Sequence, residues 1–391
     1  MDEQKGKSKA WGPLFFSGVL IVGMVVGFNL HDTLRNKRDI RTVTKRNDRL
    51  EEIIDLINDR YVDTVNSNHL YKEAISGILK SLDPHTVYIP ADELQEVNDD
   101  LEGSFSGIGV EFSIVRDTIE VTSVTEKGPA GKAGIEVGDQ LIKVGDSVVA
   151  GNSITSDRII GLLRGKKNSN VQVTIKRPLS DLVKNVSIIR DNIPIYSVDA
   201  SIMLDGNTGF IKINRFSANT YDEFKEAIKK LKAQGATQLV LDLRDNPGGY
   251  LSAATSIADD LLPENKLIVY TEGSRAPKSE FKSTANGLFE EGKLVVLVDE
   301  GSASASEVLA GAVQDWDRGV IIGRRTFCKG LVQEQYEMPD GAALRLTIAK
   351  YYTPSGRCIQ RSFANGRDAY MDDYEKRFES GELTGLDSVN K

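Results

Sequence analysis

The apolar positions of this chain change spacing as it runs, and each spacing predicts a different element. Between Trp11 and Leu30 no Asp, Glu, Lys or Arg interrupts a run rich in Leu, Ile, Val, Phe and Gly. That run matches the ~20 residues a helix needs to cross a bilayer core. A cleaved signal peptide is the alternative, but its apolar region is usually about 7–15 residues and ends in small side chains. Here the run ends Gly27-Phe28-Asn29-Leu30-His31-Asp32. The expectation is a retained anchor, with everything after it on one side of the membrane. Lysines precede the span (Lys5, Lys7, Lys9) and basic residues follow it (Arg35, Lys37, Arg38, Arg41), so the positive-inside count leaves orientation open. Next, Leu50, Ile53, Ile54, Ile57 and Tyr61 recur at helical spacing, as do Tyr71, Ala74, Ile75, Ile78, Leu79 and Leu82. The second stripe stops at Asp83-Pro84, where proline disfavours further helix.

Around residue 101 the pattern turns to short strands punctuated by glycine. Gly107-Ile108-Gly109-Val110 leads into alternating Ile119, Val121 and Ser123, then a helical Ile159–Leu163 segment and strands at Val171–Ile175 and Val186–Ile189. This order resembles a PDZ domain. Such a domain captures a peptide by holding its terminal carboxylate on loop N–H groups and adding it as a strand to a sheet edge. A small β domain with ordinary glycine turns is the plainer reading. From about residue 192, apolar strands at Gly209–Ile213, Leu239–Leu243, Leu294–Val298 and Val320–Ile322 alternate with helices marked by Phe224, Ile228 and Leu231 and by Ala253–Leu262. That alternation predicts an α/β domain with a mostly parallel sheet. Long strand signals follow at Leu331–Tyr336 and Leu344–Tyr352.

Composition narrows the chemistry. The 391 residues carry a net charge of −8 with no basic block, which sets nucleic acid aside as a partner. The two cysteines, Cys328 and Cys358, form no CxxC pair, and no tight His/Cys/carboxylate cluster suggests a metal, so no cofactor is expected. All three histidines (His31, His69, His85) lie in the first quarter, so a nucleophile in the second half has no histidine near it in sequence.

Two strand ends are candidates for chemistry. Leu239–Leu243 runs into Asn246-Pro247-Gly248-Gly249, where adjacent glycines allow close approach to free backbone N–H groups, as an oxyanion hole requires. A tight strand-to-helix connection would use the same residues. Leu294–Val298 runs into Ser302-Ala303-Ser304-Ala305-Ser306-Glu307. Ser304 with Glu307 is a capping box, a common structural helix start, but the same position puts a hydroxyl at the positive end of a helix. Lys329, in Phe327-Cys328-Lys329-Gly330-Leu331, is the candidate base, because burial lowers a lysine pKa. A surface lysine at a turn is the usual alternative.

Ser302–Glu307, Gly323–Gln333 and Leu241–Gly249 together resemble the carboxyl-terminal processing protease family, from about residue 50 onward. The resemblance implies Ser304 as nucleophile, Lys329 as base and Gln333 hydrogen-bonded to the lysine. It also implies Gly248, Gly249 and Ala305 as oxyanion donors, Asp315 in support, and Gly107, Ile108, Gly109 and Val110 as the peptide-binding loop. The implied architecture is a crotonase-like α/β protease core (192–391) with an inserted PDZ domain (101–191). An N-terminal helical region (32–100) would follow a cytoplasmic tail and transmembrane anchor (1–31). The implied protein is a single-pass membrane endopeptidase, catalytic side periplasmic, acting on proteins with free C-terminal tails, with homo-oligomers allowed for. Two positions depart from the family, Cys328 where glycine is usual and Cys358 where serine is common. The chain also stops at Lys391, where relatives commonly continue with a further Gly-rich strand segment. Cys328 keeps alive a second reading, an inactive membrane-tethered PDZ module. An acyl-CoA enzyme on a crotonase-like core is a third.

Overall fold

The computed structural model describes residues 48–383, apart from 179, 181, 286 and 365. The expected span at Trp11–Leu30 lies outside the described residues; among those described, no helix is long and apolar enough to cross a membrane. The chain divides into two compact units, Met1–Ile78 and Leu79–Lys391. The described part of the first is helix α1 (Asp48–Arg60) and most of α2 (Ser67–Leu79), on the two predicted stripes.

In the second unit, strand β1 (Val87–Ile89) and helix α3 (Ala91–Glu102) come first. The sequence pattern groups them with the N-terminal helices, but β1 pairs antiparallel with a strand more than 250 positions later, Val87 opposite Arg345. Strand β2 (Ser104–Gly107) then leads into the glycine-punctuated domain: β3 (Val110–Val115), β4 (Thr118–Val124), the turn of helix α4 (Pro129–Lys132), β5 (Gln140–Val144), β6 (Ser147–Val148), α5 (Ser156–Leu163), β7 (Asn170–Arg177) and β8 (Leu182–Ile189). Strand β9 (Asp191–Pro194) returns beside β2, so the domain enters and leaves through one antiparallel ribbon. Its alternating residues close a core of their own, with Ile119, Leu141, Ile159, Val173 and Ile188 fully buried. The sheet runs β3-β4-β5-β7-β8, which leaves β3 as an edge with α5 beside it.

The remaining elements are β10 (Val198–Met203), β11 (Thr208–Ile213), α6 (Thr220–Ala233), β12 (Gln238–Asp242), α7 (Leu251–Leu261), β13 (Leu267–Glu272), β14 (Ser279–Lys282), β15 (Lys293–Val298), α8 (Ala305–Asp315), β16 (Val320–Gly323), β17 (Leu331–Glu337), β18 (Ala343–Tyr352), α9 (Arg367–Met371) and α10 (Asp373–Glu379). Strands β11, β12, β15 and β16 pair in parallel, as the apolar runs predict, and β10 adds an antiparallel edge. The expectation of one mostly parallel sheet holds only here. A second, antiparallel sheet takes β1, β18, β13 and β14, with β17 paired to β18. Helices α6, α7 and α8 cover the parallel sheet through Phe224, Ile228, Ile257, Leu309 and Val313 in one apolar cluster. The parallel strands therefore stop at fixed ends, and two of those ends carry the candidate site.

Candidate active site

Strand β15 ends at Val298 and helix α8 begins at Ala305, so the serine-rich segment is a strand-to-helix turn. Its three alternate serines have different partners. Ser302 Oγ donates to Leu243 O at 2.7 Å and Ser306 Oγ to Asn246 O at 3.0 Å, tying the turn to the end of β12. The Ser304 hydroxyl donates to no acceptor among the described residues. Ser304 also has φ 55° and ψ −111°, a conformation that L residues rarely adopt and that costs on the order of 1–3 kcal/mol. A strained serine on a sharp turn between strand and helix is the geometry of a nucleophile elbow, and here the residue is 9% exposed.

The second strand end packs directly on the first. A Cβ added to Gly248 would lie 2.7 Å from Ala303 O and 2.8 Å from Ser304 Cβ. At Gly249 it would lie 2.0 Å from Phe216 O. Both glycines have positive φ, 95° and 142°. No side chain fits between this turn and the serine, so the two backbones touch. The N–H of Gly248 is taken by Asn246 Oδ1 at 2.9 Å, which removes Gly248 from the expected oxyanion donors in this structure. Among the described residues, the N–H groups of Gly249 and Ala305 have no acceptor. They remain available to a developing oxyanion.

Lys329 reaches this turn through a carboxylate. Glu307, only 5% exposed, accepts the N–H of Ser304 and of Lys329 on Oε2, each at 2.8 Å. On Oε1 it accepts Cys328 N–H at 2.7 Å and the Thr326 hydroxyl at 2.6 Å. One buried side chain thus fixes the serine turn and the lysine loop together. The sequence marks Glu307 only as half of a capping box; its hold on residues 326–329 has no local signature. Burial pushes its carboxyl up, opposed by these four donors. The half-buried Lys329 has its pKa lowered, by burial first and then by Arg345, against the opposite pull of Asp83 and Glu307.

The sequence profile of peptidase family S41 matches residues 207–365, that of the PDZ domain 106–189, and that of the activating protease CtpB N-terminal domain 24–93. A probable CtpA-like serine protease of Staphylococcus epidermidis is 37% identical over 80% of this chain, and the match spans 62% of that relative's length. A carboxy-terminal-processing protease of Bartonella bacilliformis is 32% identical over 88% of this chain and 79% of its own. This chain belongs to the carboxy-terminal-processing proteases of peptidase family S41. A solved photosystem II D1 C-terminal processing protease is 29% identical over 79% of this chain and 89% of its own, with a TM-score of 0.44.

Two further residues that the likeness to carboxy-terminal-processing proteases suggested are placed differently by the structure. Gln333, four positions along β17, donates its Nε2 to the backbone oxygen of His85 instead of to Lys329. Asp315 stands at the opposite end of α8 from Ser304, about 15 Å away at the helical rise. There it pairs with Arg357 at 3.0 Å and accepts Ser355 N–H at 3.0 Å, holding a turn after β18. Cys328 takes φ 68°, a conformation natural to the glycine the family usually has, and its thiol faces Thr326 O at 3.5 Å. Burial pushes that thiol up and keeps it protonated. Both cysteines are free and line one cavity of about 380 Å³.

His85 is the histidine that sequence distance concealed. It lies just before β1, and the pairing of β1 with β18 brings it to the lysine side of the site. Its ring is lowered to about 4, by burial first and then by the charge of Lys329.

In the PDZ domain, Gly107 closes the β2–β9 ribbon, while the Ile108 and Gly109 carbonyls accept Ala130 and Thr125 N–H groups at 2.8 and 3.0 Å. The N–H groups of Ile108 and Gly109 have no acceptor among the described residues. With Val110 on edge strand β3, and with Ile160 and Leu163 of α5, they line a groove of about 370 Å³.

Proposed function

We propose that the protein is a serine endopeptidase that cuts proteins recognised by their C-terminal tails. The observation that carries this reading is Ser304, strained at a strand-to-helix turn and joined through Glu307 to the loop of a lysine with a lowered pKa.

In this reading Lys329 as the free amine takes the Ser304 proton while Oγ adds to the scissile carbonyl carbon. The oxyanion forms against the N–H groups of Gly249 and Ala305. As the C–N bond breaks, the ammonium returns the proton to the leaving amine, which departs and leaves a seryl ester. Water, losing a proton to Lys329, then hydrolyses the ester and frees Ser304. Each step balances without a metal or cofactor. Gln333 orients the lysine side of the site without accepting its proton.

The open edge of β3 and the free loop N–H groups support tail capture, with the peptide added as a strand and its carboxylate on Ile108 and Gly109. The apolar run at Trp11–Leu30 supports a single-pass anchor with the catalytic part outside the cytoplasm. A crotonase-like origin of the core and self-association belong to the same proposal.

The test is cleavage of a tailed protein substrate by the parent and by Ser304→Ala, with fluorophosphonate labelling of Ser304. Activity and labelling that vanish together in the variant support the reading. A parent that binds tails but neither cuts nor labels favours the inactive PDZ module instead.

A further inference from the structure

Helices α9 and α10 lie beyond the stretch that carries the proposed dyad, and neither Tyr370 nor Arg377 belongs to the two large apolar clusters. Both side chains are nevertheless almost fully buried, 3% and 4% exposed. Burying a hydroxyl and a guanidinium is unfavourable unless each is well bonded, so their partners show what the helices are for.

Arg377 is paired with Glu382 at 2.8 Å, and the other partners converge on the lysine side of the site. Tyr370 OH lies 2.9 Å from His85 Nε2, with the rings edge to face at 5.6 Å. His85 in turn accepts Gln333 Nε2 on its backbone oxygen and meets the ring of Phe327 at 6.1 Å. Arg377 forks onto two backbone oxygens of the loop before Lys329, those of Arg325 and, at 3.4 Å, Thr326. Gln360 completes the set: its Oε1 accepts Gly330 N–H at 2.9 Å, and its Nε2 lies 3.4 Å from Tyr370 OH. The loop bearing Lys329 is thus held by Glu307 from the serine side and by the C-terminal helices from the other.

We propose that α9 and α10 form a clamp on the catalytic loop, in which Tyr370 and Arg377 are positioning residues that set Lys329 and Gln333 through His85 and the 325–330 backbone. The clamp rests on the Ser304–Lys329 reading. A tyrosine anchor that served folding alone would act through its ring, and loss of its hydroxyl would leave the chemistry unchanged. A positioning tyrosine acts through the hydroxyl, because that atom fixes the His85 ring and hence the carbonyl on which Gln333 turns.

The test uses the full chain with Tyr370→Phe, Tyr370→Ala, Arg377→Met and Ser304→Ala, measured for kcat, KM, pH profile, fluorophosphonate labelling rate and melting temperature. Tyr370→Phe and Arg377→Met should each lower kcat and the labelling rate on the order of tenfold, with KM within about twofold of the parent. The acid limb of the kcat profile should move with them. Tyr370→Phe should retain more activity than Tyr370→Ala, since it keeps the ring contacts. Parental kcat and pH profile in Tyr370→Phe and Arg377→Met, with Ser304→Ala dead, would overturn the clamp and leave the dyad standing. A kcat loss that follows the unfolded fraction and disappears on cooling would also overturn it. Activity surviving in Ser304→Ala would overturn the dyad itself.

Discussion

The Glu307 carboxylate accepts the backbone N–H of Lys329 at 2.8 Å, on the oxygen that also holds Ser304 N–H. One side chain, with no part in the proposed proton transfer, therefore ties the backbones of the proposed nucleophile and base to a single atom. Glu307→Gln supplies a single acceptor oxygen for four donors and turns an NH2 group toward two of them. Each stranded buried donor costs about 1–3 kcal/mol. We predict a loss of at least about 100-fold in kcat and a lowered melting temperature, read by peptidase assay and thermal denaturation. Near-parental kcat would show that the two loops hold their places without the carboxylate.

Gly248→Ala should be as damaging as removing the serine. Its Cβ would meet Ala303 O at 2.7 Å at a φ of 95°, so the turn must move away from Ser304. The expected result is no measurable peptidase activity and weak fluorophosphonate labelling. Activity within tenfold of the parent would mean that the oxyanion site lies elsewhere.

The acid limb of the rate profile should belong to Lys329. In the proposed mechanism the free amine is the active form, so the rate falls as pH drops through a lysine pKa held below its ordinary value by burial and Arg345. Arg345→Met removes a positive charge that opposes the ammonium. The Lys329 pKa then rises, and the limb should shift to higher pH by up to about one unit. A limb that stays in place in kcat/KM against pH would assign it to another group.

Tail recognition makes a separate prediction about the loop at Ile108 and Gly109. Amidating the C-terminus of a bound peptide deletes the charge these N–H groups would hold, and affinity measured by calorimetry should fall about tenfold or more. Equal affinity for the free and amidated forms would place recognition in side chains of the β3–α5 groove.

Cys328→Gly should leave kcat within about threefold of the parent. The thiol faces Thr326 O and the backbone already has the φ a glycine prefers, so the loop has no reason to move. A large gain in kcat would reveal that the cysteine displaces Lys329.

What the sequence disclosed follows the range of the forces involved. Strands β11, β12 and β15 and helix α8 are legible because apolar runs and a capping box are local patterns, and Ser304 stands where two of them meet. The PDZ order is legible because its glycines mark turns. Strand β14 (Ser279–Lys282), exposed along most of its length, leaves no apolar pattern, so this edge of the antiparallel sheet was hidden while β17 and β18 showed as strand signals. Gln333 was expected on Lys329 because the family resemblance implies it, but the acceptor of its amide is 248 positions upstream. Asp315 matched a family position, yet the helical rise carries it away from the serine. His85 has no periodic neighbour to advertise it.

The hydrogen bond between His85 and Tyr370 joins positions 285 residues apart. Contacts of such separation form late, since the intervening chain must be ordered before its closure is rewarded. During synthesis Ser304 emerges well before Tyr370, so a growing chain displays the nucleophile before the far side of its base loop exists. If the clamp acts as proposed, the serine turn forms before the contacts that hold the far side of the lysine loop, and the centre reaches its full rate only after α9 and α10 have docked.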